Sequence, residues 1–230
     1  MWDKIQAAAL AAYPKEAVWI VTGDEVHQVD NIHEDPLNFF MVSLADTVKY
    51  QRKGITAVIH SHCNQAAVPS RDDMVSQIML GVPFGVVSVD GQSVSQITWW
   101  GEKEIPALEG RPFIHGVSDC YSVVRDYYRL QGKSLQEVPR DWLWWESEDL
   151  ISRLFLDVGF VPVDAKDAVE GDAWIAQVRG KTPHHCGILL GNDTILHHPG
   201  STQPIDFAKI SIIEPIYRYF PYITKFLRLV

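Results

Sequence analysis

Two groups of residues in this sequence have types and spacings suited to chemistry. In the first, HSHCNQAAVPSRDD, His60 and His62 stand one residue apart and Ser70 precedes Asp73 by three positions. Side chains at i and i+2 of a strand point the same way, so both imidazoles can bind one ion. Ser70 and Asp73 lie one turn apart on a predicted helix. Two imidazoles, one carboxylate and a water form an open zinc site, which lowers the pKa of the bound water to about 7.

Each part of this group also has an ordinary structural explanation. Ser-x-x-Asp before an apolar run is a helix capping signal. An isolated His-x-His pair usually fills a surface or a core. The two together are much rarer than either alone, and this favours a common metal-binding function.

The spacing of the first group resembles the signature of the JAMM/MPN metalloproteases: His-x-His, seven residues, then Ser-x-x-Asp. The resemblance implies that His60, His62 and Asp73 bind Zn²⁺ and that Ser70 supports the oxyanion.

The same family uses an upstream glutamate, at the start of the first core strand, as general acid and base. Glu16 in YPKEAVWIV stands at that place, with Glu25 and Glu34 as rivals. A solvated charge at a strand end is the alternative for Glu16. Cys63, which follows the two histidines, is interpreted as a small packed residue.

The second group centres on Cys120, which opens a predicted helix directly after Asp119. A thiol at a helix N-terminus lies near unpaired N–H groups and the helix dipole, which favour the thiolate. The segments HCGILL and TILHH are predicted to pair through the turn GND. This pairing places His185 and His197 opposite each other, or one diagonal step apart, on one face. One imidazole can then act as base while the other orients it.

Asp-Cys at a helix start, His-x-Gly-Ile and a later hydrophobic-His resemble the NlpC-type cell-wall cysteine peptidases, which have a papain-like fold. The resemblance implies that Cys120 is the nucleophile, His185 the base and His197 the orienting residue. His184 and His198 are adjacent alternatives, which strand alternation places on the other face. The family often has Ser-Gly after its cysteine, where this sequence has Tyr-Ser.

The elements that must position these groups predict an α+β fold in two domains. In the first, AVWIVTG and ITAVIH read as strands, SLADTVKYQRKG and SRDDMVSQIML as helices, and GVVSVDGQSVSQITWW as a hairpin turning at Asp-Gly. We assign 1–103 to a JAMM/MPN-like α/β domain, 104–112 to a linker, and 113–230 to a papain-like NlpC-type α+β domain. In the domain 113–230, helices precede the strands AWIAQV, HCGILL, TILHH and YITKFLRLV.

Composition restricts the classes of partner. The formal net charge is −9 without a Lys/Arg cluster, which disfavours nucleic acid. The sequence contains no run of about 18 apolar residues, so we expect no membrane span. Three cysteines at long spacing disfavour a disulfide framework and fit folding in a reducing cytoplasm. The N-terminus reads as an amphipathic helix and not as a secretory signal.

The two domains in this order resemble the tail assembly proteins of lambda-like phages. The resemblance implies a tail-tip protein assembled in the host cytoplasm, with other tail-tip proteins and peptidoglycan peptides as partners and the bacterial cell wall as site of action. The second domain would cleave peptidoglycan stem peptides, and the first a tail protein or the wall. One alternative is a structural tail-tip or assembly factor that uses enzyme folds without turnover. A deubiquitinase-like enzyme is a further reading, which rests on the first domain alone.

Overall fold

A computed structural model describes residues 2–230. The described chain divides into two compact units. One comprises the chain up to Pro69 together with Val75–Lys103, and the other comprises Ser70–Met74 and Glu104–Val230. The division falls inside one continuous helix, Arg71–Leu80. Within residues 2–230, no helix has the length and apolarity that a membrane crossing needs.

The elements from Trp2 to Trp100 are α1 (Trp2–Ala12), β1 (Val18–Thr22), β2 (Glu25–Val29), α2 (Leu44–Gln51), β3 (Ala57–Cys63), α3 (Arg71–Leu80), β4 (Phe84–Val89) and β5 (Thr98–Trp100). The five strands form one sheet of the first unit, in the order β2-β1-β3-β4-β5. Only β3 and β4 pair in parallel, and the other neighbours are antiparallel. The core includes Ile5 and Ala9 of α1, packed among Trp19, Ile59 and Val87 of the strands.

The elements from Pro112 onwards are β6 (Pro112–Ile114), α4 (Cys120–Leu130), α5 (Leu150–Asp157), β7 (Phe160–Val163), β8 (Ala173–Ala176), β9 (His185–Leu190), β10 (Thr194–His197), β11 (Ile205–Ile210), β12 (Ile212–Pro215) and β13 (Ile223–Leu229), with 3₁₀ turns at Trp144–Glu146, Ala165–Asp167 and Ile216–Arg218. These elements build the second unit on a six-stranded sheet in the order β12-β10-β9-β8-β13-β7, with a two-stranded β11-β6 ribbon. Its core lies between the helices and the sheet and includes Val123, Phe155 and Ile188.

Polar side chains fix where the helices of both units begin. The Ser43 hydroxyl accepts from the Asp46 N–H at the start of α2. Ser70 and Asp73 form a reciprocal capping pair at the start of α3, because each side chain accepts the other's backbone N–H. Asp119 accepts from the Ser122 N–H and thereby starts α4 at the cysteine.

The mixed α+β class and all the helices and strands predicted above are confirmed. Two details differ. The ITAVIH strand does not end at His60: β3 continues to Cys63, because β4 pairs alongside it as far as Cys63↔Val89. In the hairpin, Asp90-Gly91 closes only a Val89↔Val94 bridge, and β4–β5 pairing resumes further along, at Val86↔Thr98. Sequence reasoning missed β2, β6, β7, β11 and β12.

Candidate active site and candidate metal centre

Cys120 is the first residue of α4, in the second unit, and its side chain is half-buried. Its sulfur lies 4.0 Å from the carbonyl oxygen of His184. The side chains of His185 and Cys186 lie close enough to influence its pKa. Cys120 therefore faces the beginning of β9, where His185, the predicted base, lies.

A row of three hydrogen-bonded side chains crosses the sheet beside this thiol. His185 Nε2 lies 2.9 Å from His197 Nδ1, and His197 Nε2 lies 2.9 Å from Glu214 Oε1. The strand pairing explains the row. His197 is opposite Gly187, one diagonal step from His185, and Glu214 is opposite Ile195, one diagonal step from His197. The three side chains thus share one face of β9, β10 and β12.

Tyr219 packs against both imidazoles, with ring centroids 5.6 Å from His185 and 4.7 Å from His197. Burial, together with the charge of Glu214, raises the pKa of Tyr219 to about 12. On the exposed side, Arg218 Nη1 donates to Glu214 Oε2 at 2.6 Å. The two oxygens of Glu214 therefore have separate partners, one buried and one at the surface.

The environment favours a negative charge on Cys120. The neighbouring Cys186 thiol lowers the pKa of the Cys120 thiol, and the imidazole of His185 adds to this against the effect of burial. Burial raises the pKa of Cys186 well above its ordinary value, so Cys186 stays protonated beside Cys120. The sulfur of Cys120 can thus act as a nucleophile at neutral pH.

Burial favours the neutral form of both histidines in the row. It lowers the pKa of His185, although the neighbouring Cys120 acts in the opposite direction. It lowers the pKa of His197 to about 3, and the nearby His198 contributes to the same shift. At neutral pH His197 therefore has one N–H and one bare ring nitrogen.

An ion pair behind the thiol holds the start of α4. Arg140 binds Asp119 through Nε and Nη2, with the shortest N–O distance 2.7 Å, and both side chains are buried. Burial alone would raise the pKa of Asp119, but the charge of Arg140 holds it well below its usual range. Asp119 also accepts from the Gly116 N–H and from the Ser122 hydroxyl. This carboxylate is therefore a structural anchor for the helix that carries Cys120.

A cavity of about 610 Å³ opens beside Cys120 and His185 within the second unit. Trp145 and His184 stack in its wall, with ring centroids 6.1 Å apart. The other lining residues include the aromatic and basic side chains Trp144, Tyr219, His115 and Arg179. A volume of this size is typical of a ligand site.

The alternative histidines lie outside the row, as strand alternation predicts. His184 Nδ1 contacts the carbonyl of Thr182 at 2.9 Å, and His198 Nε2 contacts the carbonyl of Arg111 at 2.8 Å. Of the tryptophans near 142–145, Trp144 is buried in the core, and both Trp144 and Trp145 line the cavity.

The residues of the first group also converge. His60 Nε2 and His62 Nε2 are 3.0 Å apart on β3. A nitrogen from each histidine and a carboxylate oxygen of Asp73, in the first turn of α3, all lie within 4.8 Å of one another, and the three residues are buried. Zinc bonds of about 2.0–2.1 Å in a tetrahedron separate ligand atoms by roughly 3.3 Å. Small shifts of these three side chains would therefore bring the ligand atoms to the spacing that one zinc ion requires.

Ser70 hydrogen-bonds directly to one of the three possible ligands, whereas Glu16 is placed near them by the strand pairing. The Ser70 hydroxyl donates to Asp73 Oδ2 at 2.7 Å, so it holds the carboxylate as part of the helix cap. Glu16 is buried beside β3, at the position that extends the β1–β3 register to His62. The rivals Glu25 and Glu34 are exposed. Burial, with the nearby charge of Glu16, raises the pKa of Cys63 to about 11, which fits a packed residue.

Sequence reasoning missed Arg140, Cys186, Tyr219 and Glu214. Cys186 directly follows His185 in the sequence, but strand alternation predicts that its side chain points away from the imidazole, so the pattern gives no reason to place it at the site. The other three are brought to the site by segments whose pairing the pattern does not show.

Comparisons with known proteins identify relatives of this chain. The NlpC/P60 family matches residues 110–220. The tail tip assembly protein K of Escherichia phage N15 is 31% identical over 205 residues, covering 85% of this chain and 83% of that protein. The chain belongs to the tail tip assembly protein K family. The family's member from Escherichia phage lambda is 30% identical over 162 residues, covering 68% of this chain and 76% of that protein.

Solved structures similar to this member of the protein K family are more distant. An NlpC/P60 family protein from Bacillus cereus has 15% identity and a TM-score of 0.37, covering 94% of this chain and 61% of that chain. NlpC1 from Trichomonas vaginalis has 21% identity and a TM-score of 0.36, covering 53% of this chain and 39% of that chain.

Proposed function

We propose that the second unit is a cysteine peptidase that cleaves peptide bonds in peptidoglycan stem peptides. The observation that carries the proposal is that Cys120, at a helix N-terminus, and His185 line one cavity, and that His185 bonds to His197 at 2.9 Å. Membership of the protein K family and the NlpC/P60 match support the same chemistry.

In the proposed reaction the Cys120 thiol first gives its proton to His185, and the resulting thiolate attacks the carbonyl carbon of the scissile bond. The helix N-terminus stabilises the negative charge that develops on the carbonyl oxygen. His185 then returns the proton to the leaving amine, and an acyl-enzyme remains on the sulfur. Water, deprotonated by His185, releases the acid and restores the thiol. His197 holds the ring of His185 during both steps.

The test is digestion of purified muropeptides by the isolated chain, with the products identified by mass spectrometry. We expect Cys120→Ala to abolish cleavage. Cys63→Ala is the matched control, because Cys63 lies in the other unit with a raised pKa, and we expect it to cleave like the wild type. Equal turnover by Cys120→Ala would remove the thiol from the mechanism. No cleavage by folded wild-type chain would favour a structural or assembly function.

The convergence of His60, His62 and Asp73 supports a second candidate function, a zinc-dependent JAMM-type peptidase centre. Ligation through Oδ1 of Asp73 would leave the two Ser70 bonds to Oδ2 intact. When bound, zinc would supply an activated water and a Lewis acid. In this proposal buried Glu16 moves protons as general acid and base, while the Ser70 N–H holds the liganding carboxylate and the Ser70 hydroxyl turns from Asp73 to support the oxyanion.

Elemental analysis of protein purified without chelators tests this centre. We expect about one zinc per chain, and we expect it to be lost in His62→Ala and in Asp73→Asn. Asp72→Asn is the matched control, since Asp72 is the exposed neighbour of Asp73 on the same helix. Zinc retained by Asp73→Asn, or lost equally in Asp72→Asn, would contradict the assignment.

Membership of the tail tip assembly protein K family supports a place for this chain at the tip of a phage tail. We propose that it is assembled with other tail-tip proteins in the host cytoplasm and acts at the cell wall. Cryo-electron microscopy of tails from a phage carrying this gene tests the location: density for the chain at the tip is expected, and its absence from assembling and mature tails would contradict it.

A further inference from the structure

We propose that Glu214 is a positioning residue that selects the reactive tautomer of His185 through His197. This inference rests on the proposed cysteine peptidase activity. The contacts that carry it are the two 2.9 Å bonds from His185 to His197 and from His197 to Glu214. They form a row in which each bond fixes the direction of the next.

The direction follows from what each atom can donate. An ionised carboxylate only accepts, so the bond to Glu214 requires the proton of His197 on Nε2. His197 is neutral, since burial lowers its pKa to about 3, and its Nδ1 is then bare. The bare Nδ1 accepts from Nε2–H of His185. Neutral His185 therefore has its own Nδ1 bare, and this nitrogen can take the proton of Cys120.

Arg218 makes the direction testable. Its guanidinium only donates, and it occupies Glu214 Oε2. In Glu214→Gln the amide has a single acceptor oxygen, which Arg218 retains. The NH₂ group then faces His197 Nε2 and forces the opposite tautomer along the row. His185 would thus hold a proton on Nδ1 and could not accept one from Cys120.

The experiment compares Glu214→Gln with the double variant Glu214→Gln/Arg218→Ala. We expect the single change to lower kcat for muropeptide cleavage by about 10- to 100-fold with little change in KM, as for residues that orient a reactive histidine. Removing Arg218 lets the amide turn its oxygen to His197, so the double variant should recover most of the loss. A structural loss would persist or grow when a second contact is removed. Glu170→Gln, an exposed change in the same unit, is the matched control.

Nitrogen-15 NMR of the histidine side chains gives a readout that needs no turnover. In a Cys120→Ala background, where no thiol proton can reach His185, we expect protonated Nε2 and bare Nδ1 on both His185 and His197, and the reverse when Glu214→Gln is added. Unchanged tautomers in Glu214→Gln, or absence of recovery in the double variant, would overturn the positioning function. The tautomers can be read even if the wild type cleaves nothing, so failure of the proposed activity and failure of this inference are distinguishable.

Discussion

Removal of the Asp119 carboxylate should destabilise the second unit strongly, because it breaks a buried ion pair and a helix cap together. Breaking a buried pair costs about 3–5 kcal/mol and losing an N-cap about 1 kcal/mol. Arg140 keeps a second partner, since its Nη1 still donates to Glu137 Oε1 at 2.9 Å. The lower end of the range therefore applies, and we expect Asp119→Ala to lower the free energy of unfolding by about 4 kcal/mol.

Asp119→Asn separates the two contributions. Asparagine is as good an N-cap as aspartate, so this variant should lose about 1 kcal/mol less than the alanine variant. Adding Arg140→Leu to Asp119→Ala removes the stranded guanidinium. We therefore expect the double variant to be more stable than the sum of the single changes predicts, by about 2 kcal/mol.

The assay is hydrogen exchange across a urea series, read by mass spectrometry on peptides from β8 to β10, which reports the second unit by itself. Arg153→Ala is the control, because its ion pair with Glu148 is exposed at 3.5 Å and should be worth less than about 1 kcal/mol. If Asp119→Ala loses no more stability than Arg153→Ala, the pair is not buried as described.

Two further predictions concern the β9–β10 hairpin. The pKa of His197 is about 3 in the folded chain and 6.5 for the ordinary group, so between these pH values the unfolded chain binds more protons than the folded chain. The contribution of the neutral His197 ring to stability is therefore full above pH 6.5 and is lost as the pH falls towards 3. In His197→Asn the free energy of unfolding, measured by urea titration at each pH, should therefore fall less steeply with pH below 6.5 than in the wild type. An equal pH dependence of the unfolding free energy in the two proteins would contradict the burial of a neutral ring. Gly187→Ala should destabilise by about 1–3 kcal/mol, because a Cβ would lie 2.6 Å from Leu196 O and 2.8 Å from His197 Cβ. Gly191→Ala, which meets only the end of Glu170, is the control in thermal unfolding, and equal melting temperatures would refute the clash.

The sequence predicts those parts of the site that local pattern controls. Cys120 at the start of α4 follows from the Asp119 capping signal and the apolar positions behind it. The diagonal step from His185 to His197 follows from a three-residue turn between two apolar strands. The convergence of His60, His62 and Asp73 follows in the same way from one strand and the helix after it.

The parts that were missed depend on pairing between distant segments. Glu214 reaches His197 because β12 pairs with β10, yet β11 lies between them in sequence and pairs with β6 instead. Arg140 lies in a segment without regular structure, where periodicity gives no signal. Nothing local in IIEP marks a strand whose glutamate faces a buried imidazole.

The pH dependence of Cys120 alkylation tests the central claim most directly, namely that Cys186 and His185 together keep this sulfur ionised at neutral pH. Iodoacetamide labelling is followed at each cysteine by peptide mass spectrometry. We predict a Cys120 rate that is nearly constant from pH 9 to 7 and falls only in the acid range, with Cys63 and Cys186 unlabelled. In His185→Ala the fall should move to higher pH. A wild-type rate that drops about tenfold per pH unit below pH 9, as for an ordinary thiol, would contradict the account.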